Sequence, residues 1–109
     1  MDARMPNVAV SLKDEELESY AETLKALGSP VRLRILLMLA ETKRPLHIKA
    51  VAKNLGLDYA AVYRHVETLK RARLLEVYEV GRSRVLTPTR PESLKAFLQL
   101  LGPPSEKAA

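Results

Sequence analysis

The chain has no cysteine, which excludes disulfides and thiolate-bound metals and suits a reducing cytosol. Long apolar runs are also missing. The longest fully apolar stretch is Ile35 to Ala40, far short of the roughly 20 residues that span a bilayer as a helix. No signal-peptide pattern is evident, so a cytoplasmic protein with no membrane partner is expected. No Gly-rich loop that would cradle phosphate is present, no nucleophile stands beside a base, and no metal-ligand cluster is evident. The two histidines, His47 and His65, are isolated from each other and do not make a metal site. The sequence therefore argues against an enzyme and calls for no metal and no cofactor.

What is present is basic charge in one place. The 109 residues allow a single domain with a modest core, and apolar residues make up 47%, so the chain is globular. A domain this small gains from a partner subunit. The net charge of +5 is unevenly spread: residues 1–28 carry −3, residues 29–90 carry +8 and the remainder is neutral. Each cation that meets a phosphate releases counterions, so the central excess points to nucleic acid. The acids near the start, Asp14, Glu15, Glu16, Glu18 and Glu22, read most simply as a solvated helix face.

Residues 1–10 show no period and are expected to be flexible, as is the tail 102–109. A single domain is expected over 11–101. Its first helix reads from a Ser11 cap to Leu27, with Leu17, Tyr20, Ala21, Leu24 and Leu27 in helical period. Gly28 ends it. Ser29-Pro30 starts a second helix, Ser as cap and Pro at the first position, where a missing N–H costs nothing. That helix is apolar nearly all round, which places it at the centre of the domain.

Residues 49–73 then read as two helices broken at Gly56-Leu57-Asp58, where Gly supplies positive φ and Asp58 is a candidate cap. The second runs from Tyr59 to about Arg73. Val62, Val66 and Leu69 share one side of it, and Ala60, Arg64 and Arg71 share the other. This is a helix-turn-helix: one helix braces and the next offers its polar face to the major groove of double-stranded DNA. Tyr59, Ala60, Tyr63 and Arg64 are the candidate base contacts, and Arg64 leads because a guanidinium grips guanine through two hydrogen bonds. A phosphate contact is an equal alternative for Arg64, and the tyrosines could instead pack on the domain. Thr68, Lys70, Arg71 and Lys49 are candidates for the DNA backbone. Glu67, among these cations, is placed to orient Arg64 or Arg71 or to accept from cytosine. His65 faces the domain and reads as a hydrogen-bonded packing residue.

Residues 74–88 read as a hairpin, with strands over Leu74 to Val80 and Arg84 to Thr87 around Gly81-Arg82-Ser83. A hairpin after a recognition helix is a wing, and Arg82, Ser83 and Arg84 are its candidate contacts to a flanking minor groove or phosphates. Arg82 and Arg84 are expected on one face of the strand. Residues 89–101 read as a last helix, opened by a Thr89–Glu92 capping box. Its stripe of Leu94, Phe97, Leu98 and Leu101, together with Leu17, Tyr20 and Leu24 of the first helix, exceeds what three core helices can cover. A homodimer through the two flanking helices, 11–28 and 89–101, is expected.

The segments LKALGSPVRLRILLMLA (24–40) and VAKNLGLDYAAVYRHVETLKRARLLEV (51–77) resemble the ArsR-type winged-helix transcription regulators over roughly residues 21 to 88. The resemblance implies a mainly α winged helix-turn-helix with a small β-hairpin and outer dimerisation helices. It departs from that family at the front of the recognition helix, where small polar residues or Gln give way to Tyr59, Ala60 and Tyr63. It also departs at Arg73, where Gly is usual. Without cysteine, and without histidine in its last helix, the chain lacks that family's metal-sensing sites. The leading expectation is a sequence-specific, homodimeric regulator. A sequence-tolerant architectural DNA binder and a winged-helix protein-interaction module are the alternatives. The identity of any small effector is not encoded in a readable motif.

Overall fold

The computed structural model describes residues 11–102, and the helix that the sequence makes apolar on nearly every side forms its centre. The elements are α1 (Asp14–Leu27), α2 (Pro30–Thr42), β1 (Leu46–His47), α3 (Ile48–Leu55), α4 (Tyr59–Arg71), β2 (Leu75–Val80), β3 (Ser83–Pro88) and α5 (Pro91–Leu101). This is a winged helix-turn-helix, mainly α, with a small antiparallel sheet. The expectations for residues 1–10 and 103–109 lie outside the described residues.

Ser29 caps α2 through its hydroxyl, which accepts from the Arg32 amide at 3.2 Å, and Pro30 occupies the first turn. Ile35, Leu36, Leu39 and Ala40 of α2 are buried. Of these, Ile35, Leu36 and Leu39 share one core with Val51 and Ala52 of α3, Val62, Val66 and Leu69 of α4, and Leu75 and Leu86 of the sheet. Fully covering a side chain such as Leu39 is worth about 1.5–3 kcal/mol relative to leaving it in water. Gly56 turns α3 into α4 with φ 68°, a left-handed conformation that side chains resist. Nothing lies within 4 Å of where its Cβ would be, so the constraint there is torsional and not steric. Asp58 stands at the N-cap of α4 but caps with its backbone carbonyl, which accepts from Val62 N at 3.1 Å.

The sheet runs in the order β1-β3-β2. Leu46 pairs with Leu86 on one side of β3, and Tyr78 pairs with Val85 on the other. Val80 and Ser83 close a two-residue turn at Gly81-Arg82, and Gly81 has φ 62°, as tight hairpin turns require.

Four local expectations are corrected. Ser11 is not the cap of α1; the helix begins at Asp14, and the Lys13 amide donates to Glu16 Oε1 at 2.8 Å. The carboxylate reaching back satisfies an otherwise open N–H of the first turn. The recognition helix stops at Arg71, and Arg73 takes φ 61°, so an arginine adopts the left-handed turn for which glycine is usual. Thr89 does not open a capping box. Its hydroxyl donates to the Arg73 carbonyl at 2.8 Å and its amide to Leu74 O at 3.3 Å. Arg90 is instead the N-cap of α5, with Pro91 in its first turn. Finally, the expected common face of Arg82 and Arg84 is absent: Arg82 lies in the turn, and only Arg84 lies in the strand.

The two outer helices differ in how far they are covered. α5 lies against α2, and Leu94 packs on the core, so the start of its stripe is used within the chain. Phe97 and Leu98 are half-buried, whereas Leu101 is 64% exposed. On α1 only Ala26 is buried. Leu17, Tyr20 and Leu24 stand open, Tyr20 at 55%.

Candidate nucleic-acid interface

The outer side of α4 follows from its inner side. With Val62, Val66 and Leu69 fixed in the core, the helical period of about 100° per residue turns Ala60, Arg64 and Arg71 away from it. All three are exposed. Arg64 and Arg71 are about two helical turns apart, so two guanidinium groups line one ridge. Lys70 is exposed, and Thr68 is half-buried with its hydroxyl donating to Arg64 O at 3.2 Å. That bond leaves Thr68 with acceptor capacity for a donor but spends its proton within the helix. Glu67 is half-buried, and among the described residues no cation pairs with it.

Tyr59 and Tyr63 stand on the flank of α4 facing the wing. Their rings stack at 6.4 Å between centroids, tilted by 13°. Tyr63 is half-buried against the core, while Tyr59 keeps an exposed edge. The guanidinium of Arg84 lies over the Tyr63 ring at 5.1 Å and reaches Glu79 on the neighbouring strand at 3.7 Å. Hydrogen bonding to Tyr59, then the charge of Tyr63, pushes the Arg84 pKa above its ordinary value, so the group is a permanent cation. Tyr59, Ala60, Tyr63, Arg64 and Arg84 line one shallow depression. Lys49, at the start of α3, shares a neighbouring cleft with Tyr59, Arg82 and Ser83. The structure thus brings the base-contact candidates, Lys49 and the wing onto one surface. Arg84 belongs to that surface but is engaged within the chain.

The opposite flank of α4 is held by a residue that sequence periodicity does not single out. Arg32 Nη1 meets His65 Nδ1 at 3.2 Å, and Arg32 Nε donates to Ala26 O at 2.7 Å. His65 is thus a hydrogen-bonded packing residue. Burial, then the charges of Arg32 and Arg64, lowers its pKa. The only early signal for Arg32 is its place in a largely apolar helix, where a charge needs a partner.

A family model described as a helix-turn-helix domain matches residues 27–78, the stretch from the end of α1 into the wing. Among solved structures, HlyU from Vibrio cholerae is 25% identical with a TM-score of 0.67, over 82% of this chain and 94% of that one. NolR from Sinorhizobium fredii is also 25% identical, with a TM-score of 0.66, over 85% and 93%. The homodimeric winged helix-turn-helix DNA-binding domain of Mb0332 from Mycobacterium bovis, a possible ArsR-family regulator, is 22% identical. Its TM-score is 0.70, over 85% of this chain and 89% of that one. No curated protein matches the chain. The chain thus carries a helix-turn-helix domain and is similar in fold to ArsR-type winged-helix regulators.

The matched stretch is the one that holds the candidate contacts on α3, α4 and the start of the wing. Among its described residues no group of three or more His, Cys, Asp or Glu side chains could hold a metal ion. None of its described helices is long and apolar enough to cross a membrane.

Proposed function

We propose that this chain is an ArsR-like transcription regulator, a homodimer that reads an inverted-repeat operator, with α4 in the major groove and the Arg82 tip of the wing on flanking phosphates or the minor groove. The observation that carries this reading is the pairing of a buried Val62-Val66-Leu69 face with exposed Arg64 and Arg71 on the same helix. Arg64 is the leading base contact, with Tyr59, Ala60 and Tyr63 beside it. Thr68, Lys70, Arg71 and Lys49 position the protein on the backbone. The open apolar residues of α1 and the end of α5 support pairing with a second copy, as does the homodimeric state of the Mycobacterium bovis domain. Two recognition helices related by a twofold axis would enter major grooves about one helical turn apart.

Selection of bound fragments from random duplex DNA tests this directly. Recovery of a two-fold symmetric motif is the expected result. Binding without site preference and with a steep salt dependence would favour an architectural role instead. Negligible binding would favour a protein-interaction module.

A further inference from the structure

Each nitrogen of the Arg32 guanidinium makes a contact within the fold. Nε donates to Ala26 O at 2.7 Å and Nη2 to Lys25 O at 3.4 Å, both in the last turn of α1, while Nη1 meets His65 Nδ1 at 3.2 Å on α4. The end of α1 suits a cation, because the last carbonyls of a helix carry the negative end of its dipole. A guanidinium has donors only, so Nδ1 must be the acceptor and His65 is neutral with its proton on Nε2. The main chain of Arg32 is fixed as well, its amide donating to Ser29 Oγ in the cap of α2. One planar fork therefore joins three helices.

The two helices it joins to α2 have different tasks. α1 carries the open Leu17, Tyr20 and Leu24, the surface assigned above to pairing. α4 carries Arg64, the residue immediately before His65. We propose that Arg32 is a positioning residue that sets the angle between the pairing helix and the recognition helix, and so determines which spacing of half-sites the dimer accepts. It touches no DNA; it acts through His65 and the end of α1. This inference rests on the homodimeric reading. Lysine cannot replace it, since one ammonium on a flexible stem does not span acceptors on two helices in a fixed plane.

The test uses the full chain and duplexes bearing two selected half-sites at centre-to-centre spacings of about 9 to 12 base pairs. Wild type should prefer one spacing. Arg32→Lys and His65→Leu should each shrink that preference by about fivefold, the worth of roughly one hydrogen bond, while dimerisation measured by sedimentation stays intact. His65→Leu removes only the contact to α4, so it stands in if an Arg32 variant does not fold. Uniform weakening at every spacing, or full rescue by lysine, would overturn the proposal. If wild type shows no spacing preference, the homodimeric operator reading fails, and amide exchange then decides on Arg32. Faster exchange in the last turn of α1 and in α4 together supports the joint, and a change confined to α1 refutes it.

Discussion

Arg84 and Tyr63 are stacked across the junction of wing and recognition helix, the guanidinium carbon 5.1 Å from the ring centre. Together with the Arg32–His65 contact on the other flank, this leaves α4 gripped from both sides with Arg64 pointing outward between the grips. Tyr63 and His65 lie about 100° to either side of Arg64 around the helix. The proposed DNA contact therefore inherits its aim from two arginines that are themselves occupied.

The occupied state of Arg84 separates it from Arg82 in a salt titration. Arg82→Ala should lower the slope of log affinity against log salt by about 1, the mark of one lost phosphate contact. Arg84→Ala should weaken binding about two- to fivefold, the worth of an exposed cation–π contact, with the slope unchanged. An equal loss of slope in both variants would make Arg84 a phosphate ligand.

Arg64→Ala should cost about 1–3 kcal/mol of operator affinity and relax preference at a single base step. Competition binding against a panel of single-base operator variants measures both quantities. A uniform loss across the panel would reassign Arg64 to the DNA backbone.

Leu24 is 54% exposed on α1, and in a pair of copies its cover would come from the partner. Leu24→Glu should shift the chain toward monomer in sedimentation velocity, and it should abolish the rise of melting temperature with protein concentration expected of wild type. An unchanged sedimentation coefficient would place the interface elsewhere.

His65 gives the fold a pH dependence of defined sign. Burial, then Arg32 and Arg64, lowers its folded-state pKa from the ordinary 6.5, so the unfolded chain takes up the proton first. Its contribution to stability is present above about 6.5 and fades as pH falls toward the lowered folded value. Denaturant melts from pH 8 to about 5 should show that decline in wild type and a shallower one in His65→Gln.

The turn after α4 offers a pair of opposite changes. Thr89→Val removes the hydroxyl that donates to Arg73 O at 2.8 Å and should cost about 0.5–1 kcal/mol. Arg73→Gly relieves a side chain held at φ 61° and should stabilise by about 0.5–1 kcal/mol after the extra freedom of glycine in the unfolded chain is counted. Both are read from denaturant midpoints.

The parts of this molecule that sequence reveals are those governed by local period. Val62, Val66 and Leu69 recur at helical spacing, and the same spacing delivers Arg64 and Arg71 to the outside. The all-round apolarity of α2 foretells its central place for the same reason. The cap at Ser29 and the turns at Gly56 and Gly81 are equally local. What period does not carry is pairing between residues far apart in the chain. Thr89 followed by Glu92 has the spacing of a capping box, yet its hydroxyl serves Arg73, sixteen positions upstream. Arg32 and His65 are 33 residues apart, and no spacing rule joins them. Arg84 likewise looks like one more wing cation until the fold brings Tyr63 beneath it.

Among the described residues, the wing's outermost strand, β2, has a neighbour on one side only. Its other rim is therefore an open seam of peptide groups to which a stray strand could zip. Two carboxylates, Glu76 and Glu79, stand exposed along it, and Tyr78 hydrogen-bonds to the first at 2.6 Å. The seam is thus fringed with negative charge, which disfavours annealing of a neighbouring molecule's strand there and guards the hairpin against aggregation.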